Sequence, residues 1–254
     1  MSVTNQQFAQ YLQQYLACEQ FKDHIYNGLQ VSGKTNIKNI CTAVTISQDV
    51  IKQAQQLQAD ALLVHHGLFW RGEDTIITGM KRARIAALLA SSMNLFAYHL
   101  PLDCHLEIGN NICVANKLNI QVKSCHTAAG VPNLLWYGEF AKPIAIAQLQ
   151  LLCSTVFHRD PIVILGKSDL VIHKMAWCTG SAYDFIEQAA ALGADLFLSG
   201  EVAERTFYQA QELGIHYFSC GHHATELFGI QALGQHLALK YDLQHYFIDS
   251  GNPI

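Results

Sequence analysis

Four short runs in this 254-residue chain gather histidine and carboxylate side chains. They are His65-His66-Gly67, His99-Leu100-Pro101-Leu102-Asp103, Ser199-Gly200-Glu201 and Gly221-His222-His223-Ala224-Thr225-Glu226. Imidazole nitrogen and carboxylate oxygen together suit a divalent cation such as zinc, manganese, iron or nickel, and donor softness does not choose among these. His222 and Glu226 are spaced to share one face of a helical turn that starts after Gly221. His65 and His66 are neighbours on what reads as extended backbone, so their side chains should diverge and address two ions more naturally than one. His65, His66, Asp103, His222 and Glu226 are too many donors for one tetrahedral zinc and too few to close two sites. Such a set keeps coordination positions open, which a catalytic metal centre requires.

Other candidates are weaker. His99 reads as support for the ligands or as a proton carrier, and Glu201 as a second group able to move a proton. His223 is expected to point away from His222. Cys104 and Cys220 are close enough in sequence to serve as soft ligands, but most cysteines here sit in apolar runs and read as small buried hydrophobes. His24, His105, His126, His158, His173, His216, His236 and His245 read as ordinary hydrogen-bonded histidines. A nucleophilic enzyme fits poorly, because no G-x-S-x-G elbow is present and no cysteine beyond Cys104 and Cys220 stands near an activating histidine.

The elements that must position these residues are legible in the periodicity. Thr4 and Gln7 form a capping-box pattern ahead of Phe8, Tyr11, Leu12, Tyr15 and Leu16, which recur at helical spacing. Asn27-Gly28 marks a turn before the extended Leu29-Gln30-Val31. A strand over 40–46, a helix over 48–58 and a buried strand over 61–64 make the unit of a parallel sheet. That unit recurs: residues 49–63 align without a gap onto 184–198, with 8 of 15 positions identical. Each copy is followed by a second helix (81–91; 203–212) and another strand (94–98; 215–219). The fold class expected is therefore α/β, with two α/β lobes of common design over 1–125 and 126–254. The second lobe includes a non-repeating connector at about 123–173, in which 134–140 and 161–165 read as strands and 144–155 as a helix. Gly130-Val131-Pro132-Asn133 and Lys142-Pro143 act there as breakers. In open α/β sheets ligands gather beyond the carboxyl ends of the strands, so the duplication predicts a site shared between the halves.

Composition narrows the class. Sixteen Lys+Arg against twenty Asp+Glu give a formal charge of −4, and half of the residues are hydrophobic. The mild acidity argues against nucleic-acid binding, which calls for a basic patch. The longest apolar runs fall short of the ~18 residues of a membrane span, and the start Met1-Ser2-Val3-Thr4-Asn5-Gln6-Gln7 lacks the features of a secretory signal. Eight cysteines with no C-x-x-C pair read as reduced thiols, which points to the cytoplasm.

Taken with Asn27-Gly28-Leu29-Gln30, the four histidine and carboxylate runs resemble the Nif-three-like family of dinuclear metal proteins. Its members are often labelled GTP cyclohydrolase type 2 homologues. The resemblance runs from near the N-terminus to the final strand and is weakest in the connector. It implies two interlinked lobes, a ring-shaped homohexamer, and His65, His66, Asp103, His222 and Glu226 as ligands of two divalent ions. Where many relatives carry an aromatic residue this chain has His223, a possible extra ligand. Glu201 corresponds to an acidic position of the family's pocket and falls opposite His66 in the internal alignment.

The function expected is metal-dependent hydrolysis of a small-molecule substrate by a metal-activated water. The family label implies a purine nucleotide, although no phosphate-binding fingerprint is present; phosphoester and amide bonds suit the same centre. Two rivals use the same residues without turnover: a metal-handling or regulatory protein, and a partner-binding scaffold whose oligomer the metals stabilise.

Overall fold

Thr4 and Gln7 begin the first helix as their spacing predicts. In a computed structural model that describes residues 3–167 and 169–254, Thr4 Oγ1 accepts from Gln7 N at 3.2 Å. Gln7 Oε1 in turn accepts from Thr4 N at 3.2 Å, and the helix runs Asn5–Tyr15. Phe8, Leu12 and Leu16 of its apolar stripe are buried, with Phe8 edge-on to Phe96 at 5.2 Å. Met1 and Ser2, in the start read as lacking a secretory signal, and Ser168, in the stretch read as a connector, lie outside the described residues.

The chain divides into two compact units: residues 1–102 with 229–251, and residues 103–228 with 252–254. The first is built on five strands in the order Gln244–Phe247, Asn39–Thr45, Ala61–His66, Asn94–Ala97 and Gly28–Val31. The first four are parallel and the last is antiparallel. The second has six strands in the order Ile120–Ala128, Val131–Ala145, Val171–Cys178, Leu196–Ser199, His216–Ser219 and Ile162–Ile164. Its parallel part is Val171–Cys178, Leu196–Ser199 and His216–Ser219. The architecture is α/β, and the last helix, Leu227–Tyr241, leads a final strand back into the first sheet.

The internal repeat has a physical basis. Asp60 Oδ2 accepts from the backbone N–H groups of Lys38 and Asn39 at 2.9 and 3.0 Å. Its counterpart Asp195 accepts from His173 and Lys174 at 3.0 and 2.9 Å. Each carboxylate thus caps the start of the preceding strand while its own backbone N–H bonds that strand's carbonyl. Two residues earlier, Gln58 and Gly193 both take a left-handed backbone (φ 55° and 75°) that turns the helix into the strand. One difference remains: the second copy opens with a 3₁₀ turn, Tyr183–Phe185, before its helix Ile186–Ala191.

The division by packing falls at 102/103 rather than near 125, because Val114, Ala115 and Leu118 pack into the core of the second unit, whose sheet the stretch read as a connector completes. Ala129 and Gly130 both have positive φ (48° and 77°) and form the two-residue turn of a hairpin. Pro143 does not end its strand. It sits where the pairing slips between Ile172 and Lys174, a bulge that tolerates a residue without an N–H. The buried Trp136 and Trp177, 6.1 Å apart, anchor the core beneath this hairpin.

Candidate metal centre

Each of the four histidine and carboxylate runs follows a parallel strand, as expected. His65 and His66 end Ala61–His66, His99 follows Asn94–Ala97, Glu201 follows Leu196–Ser199, and His222 follows His216–Ser219. Gly67 allows the first run to turn. A Cβ there would meet Gln30 Oε1 at 2.4 Å and Ala97 Cβ at 2.6 Å. That same Gln30 oxygen accepts from Leu68 N at 2.8 Å.

In the first unit the rings of His65 and His66 do not diverge. Their centroids are 4.6 Å apart, and His99 lies 4.9 Å from His65 and 5.6 Å from His66. One ring nitrogen from each falls within 4.8 Å of the other two. Strict alternation governs a strand's interior, whereas His66 is the last residue before the turn. Every ring is tethered through Nδ1. His65 Nδ1–H donates to the Tyr98 carbonyl at 2.9 Å, His66 Nδ1 pairs with the Thr45 hydroxyl at 2.9 Å, and His99 Nδ1–H donates to Asp23 at 2.9 Å. Such tethers fix ring orientation and leave Nε2 as the outward donor.

Asp23 is the residue that sequence reasoning missed. Its oxygens also accept from Asn27 Nδ2 and from Leu100 N, both at 2.9 Å, and Asn27 Oδ1 accepts from His99 N at 2.8 Å. Burial opposes ionisation of Asp23, but His99, Asn27 and the Leu100 N–H outweigh it and hold its pKa at about 2. Asp23 lies in an irregular stretch without periodicity, and only the Asn27-Gly28 turn signal marks its neighbourhood.

In the second unit His222 bridges two carboxylates. Its Nδ1 is 2.5 Å from Glu201 Oε1, and its Nε2 is 3.2 Å from Glu226 Oε2. The four-residue spacing therefore does put His222 and Glu226 together. Burial would lower the His222 pKa, yet Glu226 and Glu201 raise it to about 9. Glu201 is further held by the Ser181 hydroxyl at 2.9 Å. Gly180, also missed from sequence, makes room: a Cβ there would lie 2.3 Å from Glu226 Oε1 and 3.4 Å from His222 Nε2.

Asp103 is buried and fixed. Asn110 Nδ2 donates to its Oδ1 at 2.8 Å, and the Thr179 hydroxyl donates to the same atom at 3.4 Å. Asn111 Oδ1 holds Thr179 in turn by accepting from its backbone N–H at 3.1 Å. The Cys178 thiol is pushed well up, first by burial and then by Asp103, Cys104 and Glu226, which places these groups in one neighbourhood. Among the described residues no cysteine joins a metal-type cluster, and neither does His223. Burial and Cys153 also raise the Cys220 thiol far above its usual range, which disfavours the thiolate a metal would need. Of the histidines assigned ordinary roles, His126 pairs with Ser124, His216 with the Asp169 carbonyl, His236 with Tyr11 and His245 with Thr42.

The donor set fits divalent cations. It consists of oriented imidazoles and buried carboxylates, with no thiolate, and such a mixture suits borderline first-row metals. Among the described residues no helix is long and apolar enough to cross a membrane.

Comparison with known proteins finds relatives along nearly the whole chain. The profile of the family Duf34/NIF3 (NGG1p interacting factor 3) matches residues 3–253. A Vibrio cholerae protein named GTP cyclohydrolase 1 type 2 homolog is 45% identical over 254 residues, covering 99% of this chain and 100% of the relative. The protein of that name from Escherichia coli K12 is 41% identical over 249 residues, covering 98% and 99%. Among solved structures, protein ybgI, titled as of unknown function, superposes with a TM-score of 0.95 at 40% identity over 99% of this chain and 100% of that one. TTHA1606 from Thermus thermophilus gives 0.90 at 30% identity over 99% and 100%. With its strand-end histidines and carboxylates and a match along nearly its whole length, the chain belongs to the Duf34/NIF3 family.

Proposed function

We propose that this chain is a metal-dependent hydrolase that holds two divalent cations with His65, His66, Asp103, His222 and Glu226. The observation that carries the reading is the uniform tethering of the histidines. His65, His66, His99 and His222 each engage Nδ1 with a fixed partner, so four Nε2 atoms at strand ends are oriented in advance. Histidines with purely structural roles have no reason to share this arrangement. Bound there, the cations would supply Lewis acidity toward a water and toward the bond under attack.

The chain's own residues do the rest. Asp103 and Glu226 bring negative charge that offsets the cations, and Asn110 and Thr179 keep Asp103 from swinging away. His99, held by Asp23, moves the proton. Glu201 was expected to share that task, but its bond to His222 supports an orienting role better. The relatives' name, GTP cyclohydrolase 1 type 2 homolog, favours a purine nucleotide substrate. The same reading takes the protein as cytoplasmic and, as the family resemblance implies, as a homohexameric ring.

The test is elemental analysis of protein purified without added metal, followed by a turnover screen of nucleotides, phosphoesters and cyclic amides with the metal-loaded chain. Two equivalents of metal per chain are expected, with turnover abolished in Asp103→Ala and kept in His223→Ala. Bound metal with no turnover of any substrate would make the protein a metal-handling one. Absence of metal would end the reading altogether. Light scattering before and after chelation reports the oligomer and whether metal holds it together.

A further inference from the structure

A cavity of about 530 Å³ opens in the first unit, and none of its lining residues belongs to the metal-type cluster. Gln10, Tyr11 and Gln14 of the first helix form one wall, and Lys240, Tyr241 and Asp242 at the end of the last helix form another. The volume lies within the roughly 300–1,000 Å³ of small-molecule sites.

Three features of the lining are chemically specific. Tyr11 is immobilised: its hydroxyl is 2.5 Å from His236 Nε2, and its ring lies nearly parallel to those of Tyr15 and His236. Tyr241 meets Tyr11 at 88° with centroids 5.7 Å apart, so the two rings form an aromatic corner. Lys240 Nζ rests 4.3 Å from the Tyr11 centroid and 5.6 Å from that of Tyr241, and it makes no ion pair among the described residues. An ammonium seated on aromatic faces keeps its charge without neutralising it, and so retains attraction for an anion. The side-chain amides of Gln10 and Gln14 make no hydrogen bond among the described residues and line the same space.

We propose that this cavity binds a nucleoside monophosphate. A planar base stacks in the corner of Tyr11 and Tyr241, which no aliphatic ligand would exploit. The glutamine amides, donor and acceptor in one group, read the hydrogen-bonding edge of the base. The phosphate draws the flexible Lys240 ammonium off the Tyr11 face, which leaves that face to the base. A single lysine on the wall matches a single phosphate group. This binding role stands apart from the metal centre and does not depend on the hydrolase reading.

Isothermal titration of the full chain with AMP, GMP, adenosine and ribose 5-phosphate tests it. AMP or GMP should bind one to one, and adenosine and ribose 5-phosphate at least tenfold more weakly. Lys240→Gln, an exposed surface change, should weaken the monophosphate at least tenfold, whereas Asp103→Ala should bind it as the unaltered chain does. Four results would overturn the assignment: no saturable binding, equal affinity in Lys240→Gln, ribose 5-phosphate binding as tightly as AMP, or loss of binding in Asp103→Ala, which would move the ligand to the metal-type residues.

Discussion

Glu201 Oε1 lies 2.5 Å from His222 Nδ1, and it is this contact that turns Nε2 of the same ring toward Glu226. A carboxylate behind an imidazole sets the ring's tautomer and strengthens the opposite nitrogen as a donor. Replacing it should therefore impair a metal site without abolishing it. Glu201→Gln is expected to lower metal affinity by roughly 10–100-fold. If Glu201 instead moved the proton, the variant would keep its metal and lose only turnover. Metal titration alongside activity separates the two outcomes.

The same contact has a consequence in metal-free protein. The His222 pKa is about 9, above the ordinary 6.5, because Glu226 and Glu201 outweigh the effect of burial. A group whose pKa is raised on folding adds stability that is complete below its unfolded value and lost as pH climbs through the folded one. Chelator-treated protein should thus become easier to unfold between pH 6.5 and about 9. In Glu226→Gln that slope should be shallower, since one of the two anions is gone. Urea unfolding at a series of pH values would measure both curves.

At Gly180 a single methyl should act directly on the metal-type residues. Its φ is +68°, and an added Cβ would fall 2.3 Å from Glu226 Oε1. Left-handed backbone costs a residue bearing a Cβ roughly 1–2 kcal/mol, and the displaced carboxylate can no longer meet His222. Gly180→Ala is expected to fold, with a lowered melting temperature, and to lose most of its metal affinity. Gly193→Ala, at φ +75° with open space around it, serves as the control: a comparable stability loss with metal binding intact.

These residues also mark what the sequence discloses and what it hides. The duplication is visible because Asp60 and Asp195 fall at the same place in two aligned runs, but their shared task, capping the preceding strand, needs coordinates to be seen. Strand-end histidines are likewise legible, since burial sets strand periodicity and Gly67 and Gly221 signal the turns that follow. Asp23 and Gly180 leave no such trace. One lies in an irregular stretch, the other is a glycine among 17, and each matters through a partner distant in sequence. The divergence expected of His65 and His66 fails for a related reason. Tethers from Thr45 and Tyr98, belonging to other segments, decide where those rings point.

Asp23 carries the last expectation. Its pKa of about 2, against an ordinary 3.8, reflects bonds to His99, Asn27 and the Leu100 N–H that more than offset burial. A carboxylate whose pKa is depressed on folding contributes stability above its unfolded value and surrenders it as pH falls through the folded one. The shift corresponds to about 2 kcal/mol at neutral pH. Asp23→Asn should cost about that much at pH 7 and flatten the fall in stability between pH 4 and pH 2, where the unaltered protein loses this contribution. The variant should also release His99, whose Nδ1–H would face an amide in place of a carboxylate. A variant as stable as the unaltered chain at pH 7, with the same acid-unfolding curve, would show that Asp23 does not hold that imidazole in place.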